Sequence, residues 1–493
     1  MRQPPLPHDP GLFAGYGLMP GSIDELMGPD GVARQDFQKL LAVLGARPPE
    51  DFARMQALAE RALLNQGVTF SVYSDQRGTE RIFPFCLIPR LVSASDWAHM
   101  ERGLEQRIRA LGLFLDDVYG PQRLFAERPE LRELILNTPL YLPRLRGVRP
   151  AGRVRIHIAG IDLIRDGRGT YQVLEDNLRT PSGVSYVMEG RILSKRVVPD
   201  VLEMARVRRV DHYPARLAET LRAVSPEDPE HSTVVILTPG PYNSAYFEHS
   251  FLARTMGVPL VHGEDLFVDD DRVFLRTTRG PRRVHVIYRR IDDAFLDPEA
   301  FRPDSMLGVR GLLRAWAAGN VTLANAPGNG VADDKATYAF VPDFIRFYLG
   351  EQPILEQVPT YVCAREEDRR YVLEHLNELV VKTVDEAGGY GMLMGPQSTA
   401  EEREDFRQRI LAHPRRYIAQ PRVELSTCPT WDAATRKVVP RRVDLRPYIL
   451  TGPQGPWVLP GGLSRVALRA GSYVVNSSQG GGSKDTWVQK EAV

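Results

Sequence analysis

The sequence predicts a mixed α/β fold, α+β in its organisation, with a helical N-terminal region. Three observations carry this: an apolar stripe at helical spacing before residue 150, a β-hairpin pattern directly after it, and a strand–loop–helix–strand unit mid-chain. At 493 residues the chain has room for about three domains.

Residues 1–150 read as mainly helical. Trp97, Met100, Leu104, Ile108, Leu111, Leu115 and Val118 recur at steps of three and four, which places them on one buried face of a long helix. A different grammar begins near Arg153 and defines a segment 151–230. There "RVRIHIAGIDLI" and "TYQVLEDN" are two β-rich runs joined by "RDGRG", whose Asp-Gly and second Gly are hairpin punctuation. Residues 231–330 form the next unit. Within it 233–268 reads as strand, loop, helix, strand: Pro239, Gly240 and Pro241 end the first strand, and Phe251, Leu252 and Met256 supply the apolar helix face. "RRVHVIYRRIDD" reads as a further strand. Residues 331–493 alternate strands and helices and then return to strand-like runs.

Composition bounds the function. Lys plus Arg total 63 against 62 acidic residues, so no net field draws the chain to nucleic acid or to an anionic membrane, and any bound anion needs a local site. The N-terminus has no apolar core of signal-peptide length and no run approaches a membrane span, so the expected location is the cytoplasm. Cys86, Cys363 and Cys428 are scattered without metal-ligand spacing, which favours reduced structural thiols.

The chemistry-bearing residues fall in five places. Side chains alternate along a strand, so Glu175 and Asn177 share a face and Asp176 points the other way; a hairpin closing through Gly167–Thr170 sets Asp162 opposite Glu175. Two carboxylates and an amide oxygen suit Mg²⁺ completed by water and phosphate oxygens. The same pattern also suits the polar outer face of a hairpin, with Asp176 and Arg179 solvated. Secondly, in "ELVVKTVDEAGGYGMLMG" a β-run ends on Lys382 before Gly388, Gly389 and Gly391, a loop able to approach phosphate closely, though without Walker spacing. Thirdly, Lys335 sits at a helix start with Asp333 or Asp334 as cap. Fourthly, "YIAQPRVEL" alternates around a Pro and suits a hinge whose backbone reads an adenine edge. Lastly, Arg446 shares a strand with Asp444 and could reach a phosphate or make a surface ion pair.

In combination these features resemble the ATP-grasp superfamily. Lys335, Lys382 with Gly388, Gly389 and Gly391, the hinge Gln420, Pro421, Arg422 and Val423, then Arg446, then Asn476 with Gly480 and Gly481 follow that superfamily's motif order; Asp162, Glu175 and Asn177 match its final "D…ExN" motif. Here that last motif comes first. The chain therefore resembles a circularly permuted type-2 ATP-grasp protein, of the glutathionylspermidine-synthase-like ligase family. "GIDLIRDGRGTYQVLEDNLRTPSGVSYVMEGR" and "PYNSAYFEHSFLARTMGVPLV" carry the likeness most closely, and it extends over nearly the whole chain.

The resemblance implies a permuted ATP-grasp fold with a Rossmann-like pre-ATP-grasp domain at 231–330. It also implies ATP and Mg²⁺ as cofactors, and a carboxylate and an amine, small molecules or peptides, as substrates joined through an acyl phosphate. Asp162, Glu175 and Asn177 would hold the metal; Lys335, Lys382, the glycine loop, the hinge and Asn476 would hold the nucleotide; and Arg446, Lys382 and Glu175 would act in catalysis. A small-molecule kinase on the same site, or a scaffold that binds ATP without turnover, are the other readings. Gly160 stands where many ATP-grasp ligases carry a substrate-binding Arg, and Gln420 where Glu is common. Asn243, Ser244 and Glu248 are candidate acceptor contacts, with a helix cap as the other reading of Asn243 and Ser244, and Arg289 and Arg290 suit either an acidic group or an interdomain ion pair.

Overall fold

The structure is a computed structural model that describes residues 11–71, 80–385, 391–475 and 480–491. Its largest element is an eight-stranded sheet whose main path runs Glu356–Gln357, Tyr171–Asn177, Ile158–Arg165, Lys437–Gly452, Gly455–Val466, Gly482–Val488, Phe85–Val92; Thr427–Asp432 pairs with Lys437–Gly452 off that path. Strands from both ends of the chain thus meet: Phe85–Val92 runs parallel to Gly482–Val488, with Cys86 beside Lys484 and Leu91 beside Trp487. This strand lies inside the segment read as mainly helical. "FCLIPRLV" is buried at every position, so it lacks the alternation by which a strand announces itself.

The long helix is present as Ala94–Val118, opened by Ser93, whose hydroxyl accepts from the Asp96 backbone N–H at 3.1 Å. All seven residues of the apolar stripe are buried. They join one core with Ile161, Leu163 and Val173, so this helix covers one face of the hairpin strands and leaves the other to a cleft.

The mid-chain unit is a parallel sheet in the order Thr322–Ala324, Val286–Arg289, Val234–Leu237, Leu260–Val261, with the helix Tyr246–Met256 crossing between the last two. Two readings change in detail. The parallel partner is Leu260–Val261, whereas Leu266–Asp269 pairs with Arg272–Leu275 and then Arg282–Val284 in a small antiparallel sheet. "RRVHVIYRR" is accordingly two strands in different sheets, parted at His285, whose Nδ1 accepts from the Thr233 backbone N–H at 2.9 Å.

A further antiparallel sheet, Tyr361–Val362, Tyr417–Pro421, Leu379–Thr383, Leu393–Met394, carries the helices Glu366–Glu374 and Ala400–Ala412. It forms the second wall of the cleft. No helix among the described residues is long and apolar enough to cross a membrane.

Candidate functional site

The cleft is built around the expected hairpin. Asp162 pairs with Glu175 and Gly160 with Asn177, the register that counting along the strands predicts. A bulge inserts one residue after Val173, so Leu174 and Glu175 both reach the cleft. The turn is longer than expected by Asp166, whose carboxylate accepts from the backbone N–H groups of Arg168 and Thr170, both at 2.9 Å.

Asp162, Glu175, Lys335 and Lys382 line one part of this cleft. Lys335 opens a short helix capped by Asp334, which accepts from Ala336 N at 2.8 Å, and its Nζ lies 3.3 Å from Glu175 Oε1. Asp333 instead binds Leu178 N and Arg179 Nε. Lys382 Nζ donates to Gln420 Oε1 at 2.7 Å, and Gln420 Nε2 donates to Thr360 Oγ1 at 2.9 Å. Burial pushes the Lys382 ammonium down to about 8, with Glu175 opposing the shift. Gln420, Pro421, Arg422 and Val423 follow along the wall, and the strand ends at Pro421. Ile164, Leu174, Val358, Met394 and Leu425 make the remainder apolar.

Arg446 is not on the surface. Its Nε and Nη2 donate to Asp162 Oδ1 and Oδ2 at 2.5 and 2.9 Å, and Arg465 Nη2 donates to Asp162 Oδ2 at 2.7 Å. Burial pushes the Asp162 carboxyl up, but the two guanidiniums outweigh it and hold it at about 2. Arg465 also pairs with Asp444, whose carboxyl burial drives upward against that pairing. Arg465 and Asp444 both line the cleft, and sequence reading missed them as site residues. The signal was slight: an Arg within "GGLSRV" and an Asp two before Arg446.

Gly160 has a use of its own. A Cβ there would lie 3.1 Å from Arg446 Cδ and 3.0 Å from Pro181 Cβ, so the bare backbone leaves the path Arg446 takes to Asp162.

Asp162, Glu175 and Asn177 fall on one face of the hairpin and carry the hard oxygens a Mg²⁺ shell takes, but both Asp162 oxygens already accept from Arg446 and Arg465, and Asn177 is not among the residues lining the cleft. Among the described residues, no group of three or more His, Cys, Asp or Glu is placed to hold a metal ion. Asn177 Nδ2 is buried without a partner. Gly391 is described, in a left-handed turn at φ 65°, while Gly388, Gly389 and Asn476 lie outside the described residues. Val475, just before Asn476, lines the same cleft as Glu175.

Several expectations outside the cleft are corrected. Asp176 is buried and takes two 2.7 Å bonds from Arg107 of the long helix, and Arg179 pairs with Asp333 and Asp292, so neither is a solvated strand-end charge. Glu248 is fully buried: it accepts from Gly183 N (2.7 Å), Ser185 N (3.1 Å), Ser185 Oγ (3.0 Å) and Arg290 (3.1 Å). Arg289 pairs with Asp293. These groups therefore lock segments together and are not open to an acceptor. Asn243 Oδ1 accepts from Ala245 N at 2.9 Å, a turn-closing bond.

A family model described as circularly permuted ATP-grasp type 2 matches residues 89–467. An uncharacterized protein of Synechocystis sp. (strain ATCC 27184 / PCC 6803 / Kazusa) is 52% identical, covering 98% of this chain and 98% of its own. An uncharacterized protein of Mycobacterium tuberculosis (strain ATCC 25618 / H37Rv) is 50% identical over 97% of this chain and 86% of its own. A Frankia alni protein named "Putative glutamate--cysteine ligase 2-3" is 44% identical over 96% of this chain, which spans 54% of that longer protein. Among solved structures, a glutathione synthetase-like effector from Globodera pallida superposes with a TM-score of 0.56 at 12% identity, covering 90% of this chain and 98% of its own; at that identity the likeness is one of fold.

Proposed function

The chain belongs to the circularly permuted ATP-grasp type 2 family, and on that premise we propose that it is an ATP-dependent carboxylate–amine ligase acting through an acyl phosphate. The observation that carries this is one cleft in which an apolar wall leads to two lysines and two carboxylates, with Arg446 and Arg465 behind Asp162. An adenine ring suits the apolar part, where the Gln420–Val423 backbone reads its edge.

Lys335 and Lys382 meet the phosphates. With its ammonium at about 8, Lys382 is mainly charged at neutral pH, and Gln420 holds it in place. Bound Mg²⁺, held by Asp162, Glu175 and Asn177, would neutralise charge on the β- and γ-phosphates. A substrate carboxylate oxygen then attacks the γ-phosphorus while the bond to the β-phosphate oxygen breaks, which leaves ADP and an acyl phosphate. Arg446, bonded to Asp162, would exchange part of that hold for the transferred phosphoryl group. An amine attacks the acyl carbon, phosphate leaves, and the amine loses a proton. The chain supplies positioning and charge, with no covalent nucleophile.

Hydroxylamine tests this, because it intercepts an acyl phosphate. ATP, Mg²⁺ and a panel of amino acids and short peptides, with glutamate and cysteine among them, should give a hydroxamate together with ADP and phosphate. A stable phosphoester would assign a kinase instead. ATP bound but unconsumed across the panel would sink the ligase reading.

A further inference from the structure

A second cavity, of about 690 Å³, lies where the long helix ends and shares no lining residue with the cleft. It is lined by Asp116 and Tyr119 at the end of that helix and by Arg146, Arg149, Arg153 and Arg155 from the segment leading into the hairpin. We propose that this pocket is a separate binding site for a small multivalent anion, held through carboxylate or phosphate groups.

Charge is the first argument. The only carboxylate in the lining, Asp116, is engaged by Arg155 Nε at 2.7 Å. Arg146, Arg149 and Arg153 are exposed, and among the described residues none makes an ion pair or a side-chain hydrogen bond. Three exposed guanidiniums without a counter-charge around one concavity give it a positive field that an anion would neutralise. Guanidinium forks match carboxylate and phosphate oxygens in pairs, and a monovalent ion would satisfy only one fork. With the whole chain near neutrality, a small anion is favoured over a nucleic acid.

Construction is the second argument. Arg155 is 4% exposed and forms part of the pocket's base: it donates to Val148 O at 2.8 Å and lies 5.2 Å over the Tyr119 ring, while its Nη1 is left without an acceptor. A buried cationic N–H without a partner is costly, and a nearby anion reduces that cost. Gly147 N donates to Tyr119 O at 2.7 Å, which pins the loop to the helix end. Arg153 sits at φ 54°, a left-handed conformation that a non-glycine residue rarely adopts. Strain of this kind collects where a side chain must be aimed. The cavity also falls within the roughly 300–1,000 Å³ of small-molecule sites.

Calorimetric titration of the full chain with citrate and, separately, with tripolyphosphate tests the proposal and distinguishes carboxylate from phosphate as the source. Each is run on the wild type, on Arg146→Glu/Arg149→Glu, and on Lys335→Ala/Lys382→Ala. At least one anion should bind the wild type with millimolar affinity or better. Its affinity should fall at least about tenfold in the double arginine variant and stay within about threefold in the double lysine variant. Both arginines are exposed and unpaired, so the melting temperature of that variant should match the wild type. Absence of binding by both anions, a loss below tenfold in the arginine variant, or a larger loss in the lysine variant overturns the proposal, the last because it seats the anion in the cleft.

Discussion

Glu175 and Asp176 are chain neighbours with opposite surroundings, so neutralising each should damage a different property. Asp176 and Arg107 have side chains 1% and 3% exposed and share two 2.7 Å bonds. Removing one member of such a pair costs about 3–5 kcal/mol by leaving the other charge buried alone. Burial already pushes the Asp176 carboxyl upward against the pull of Arg107, and Asn keeps one acceptor, so the lower end, about 3 kcal/mol, applies to Asp176→Asn. At about 2–4 °C per kcal/mol for a domain of 150–250 residues, the melting temperature should fall roughly 6–12 °C. Glu175 is 23% exposed with Lys335 at 3.3 Å, a contact worth at most about 1 kcal/mol. Glu175→Gln should therefore melt within about 4 °C of the wild type yet lose acid-dependent ADP formation, with ATP affinity held within roughly tenfold by the lysines and hinge. Differential scanning fluorimetry and a coupled ADP assay on both variants suffice. Asp176→Asn that melts normally but is inactive, or Glu175→Gln that melts as early as Asp176→Asn, would refute the assignment of the two faces.

Other outcomes follow from the same geometry. Because burial lowers Lys382 from 10.5 to about 8, ATP affinity of the wild type should weaken as pH rises through about 8, whereas Lys382→Arg should bind with a flat profile over the same range; equal slopes in both would remove Lys382 from the phosphate site. The sign for the fold is opposite: between about 8 and 10.5 the unfolded chain binds the extra proton, so this group's contribution to stability rises with pH there. Gly160→Ala puts a Cβ 3.1 Å from Arg446 Cδ and should lower ligase turnover roughly tenfold through misplacement of that guanidinium; full activity would separate Arg446 from the chemistry. Glu248→Gln leaves Arg290 buried without its counter-charge and should cost about 3–5 kcal/mol in urea unfolding, and an unchanged midpoint would contradict the interlock with Gly183 and Ser185.

What was legible in the sequence was legible because it depends on short-range periodicity. Alternation along a strand is enough to turn Asp176 away from Glu175, whereas Asp162 meets Glu175 because a turn longer by Asp166 and a bulge at Leu174 offset each other. Spacing by threes and fours is enough to bury one side of the long helix. Phe85–Val92 was hidden because a strand buried on both faces reads like any apolar run.

Only the tertiary structure decided what those side chains meet. Counting back from the turn, where Gly452 pairs with Gly455, would set Asp444 opposite Leu463; a register shift between Pro447 and Ile449 instead sets it opposite Arg465, whose other partner is Asp162. A bulge is an irregularity that no local pattern announces, yet it moves every later cross-strand partner. Likewise the alternation that turned Asp176 away left its partner open until the helix delivered Arg107, and Glu248 looked available until Arg290 and the loop at Gly183 closed on it. Residue type and spacing determine which face a charge occupies, but whether that charge is free, paired or shared depends on side chains arriving from distant segments, and burial makes those pairings obligatory.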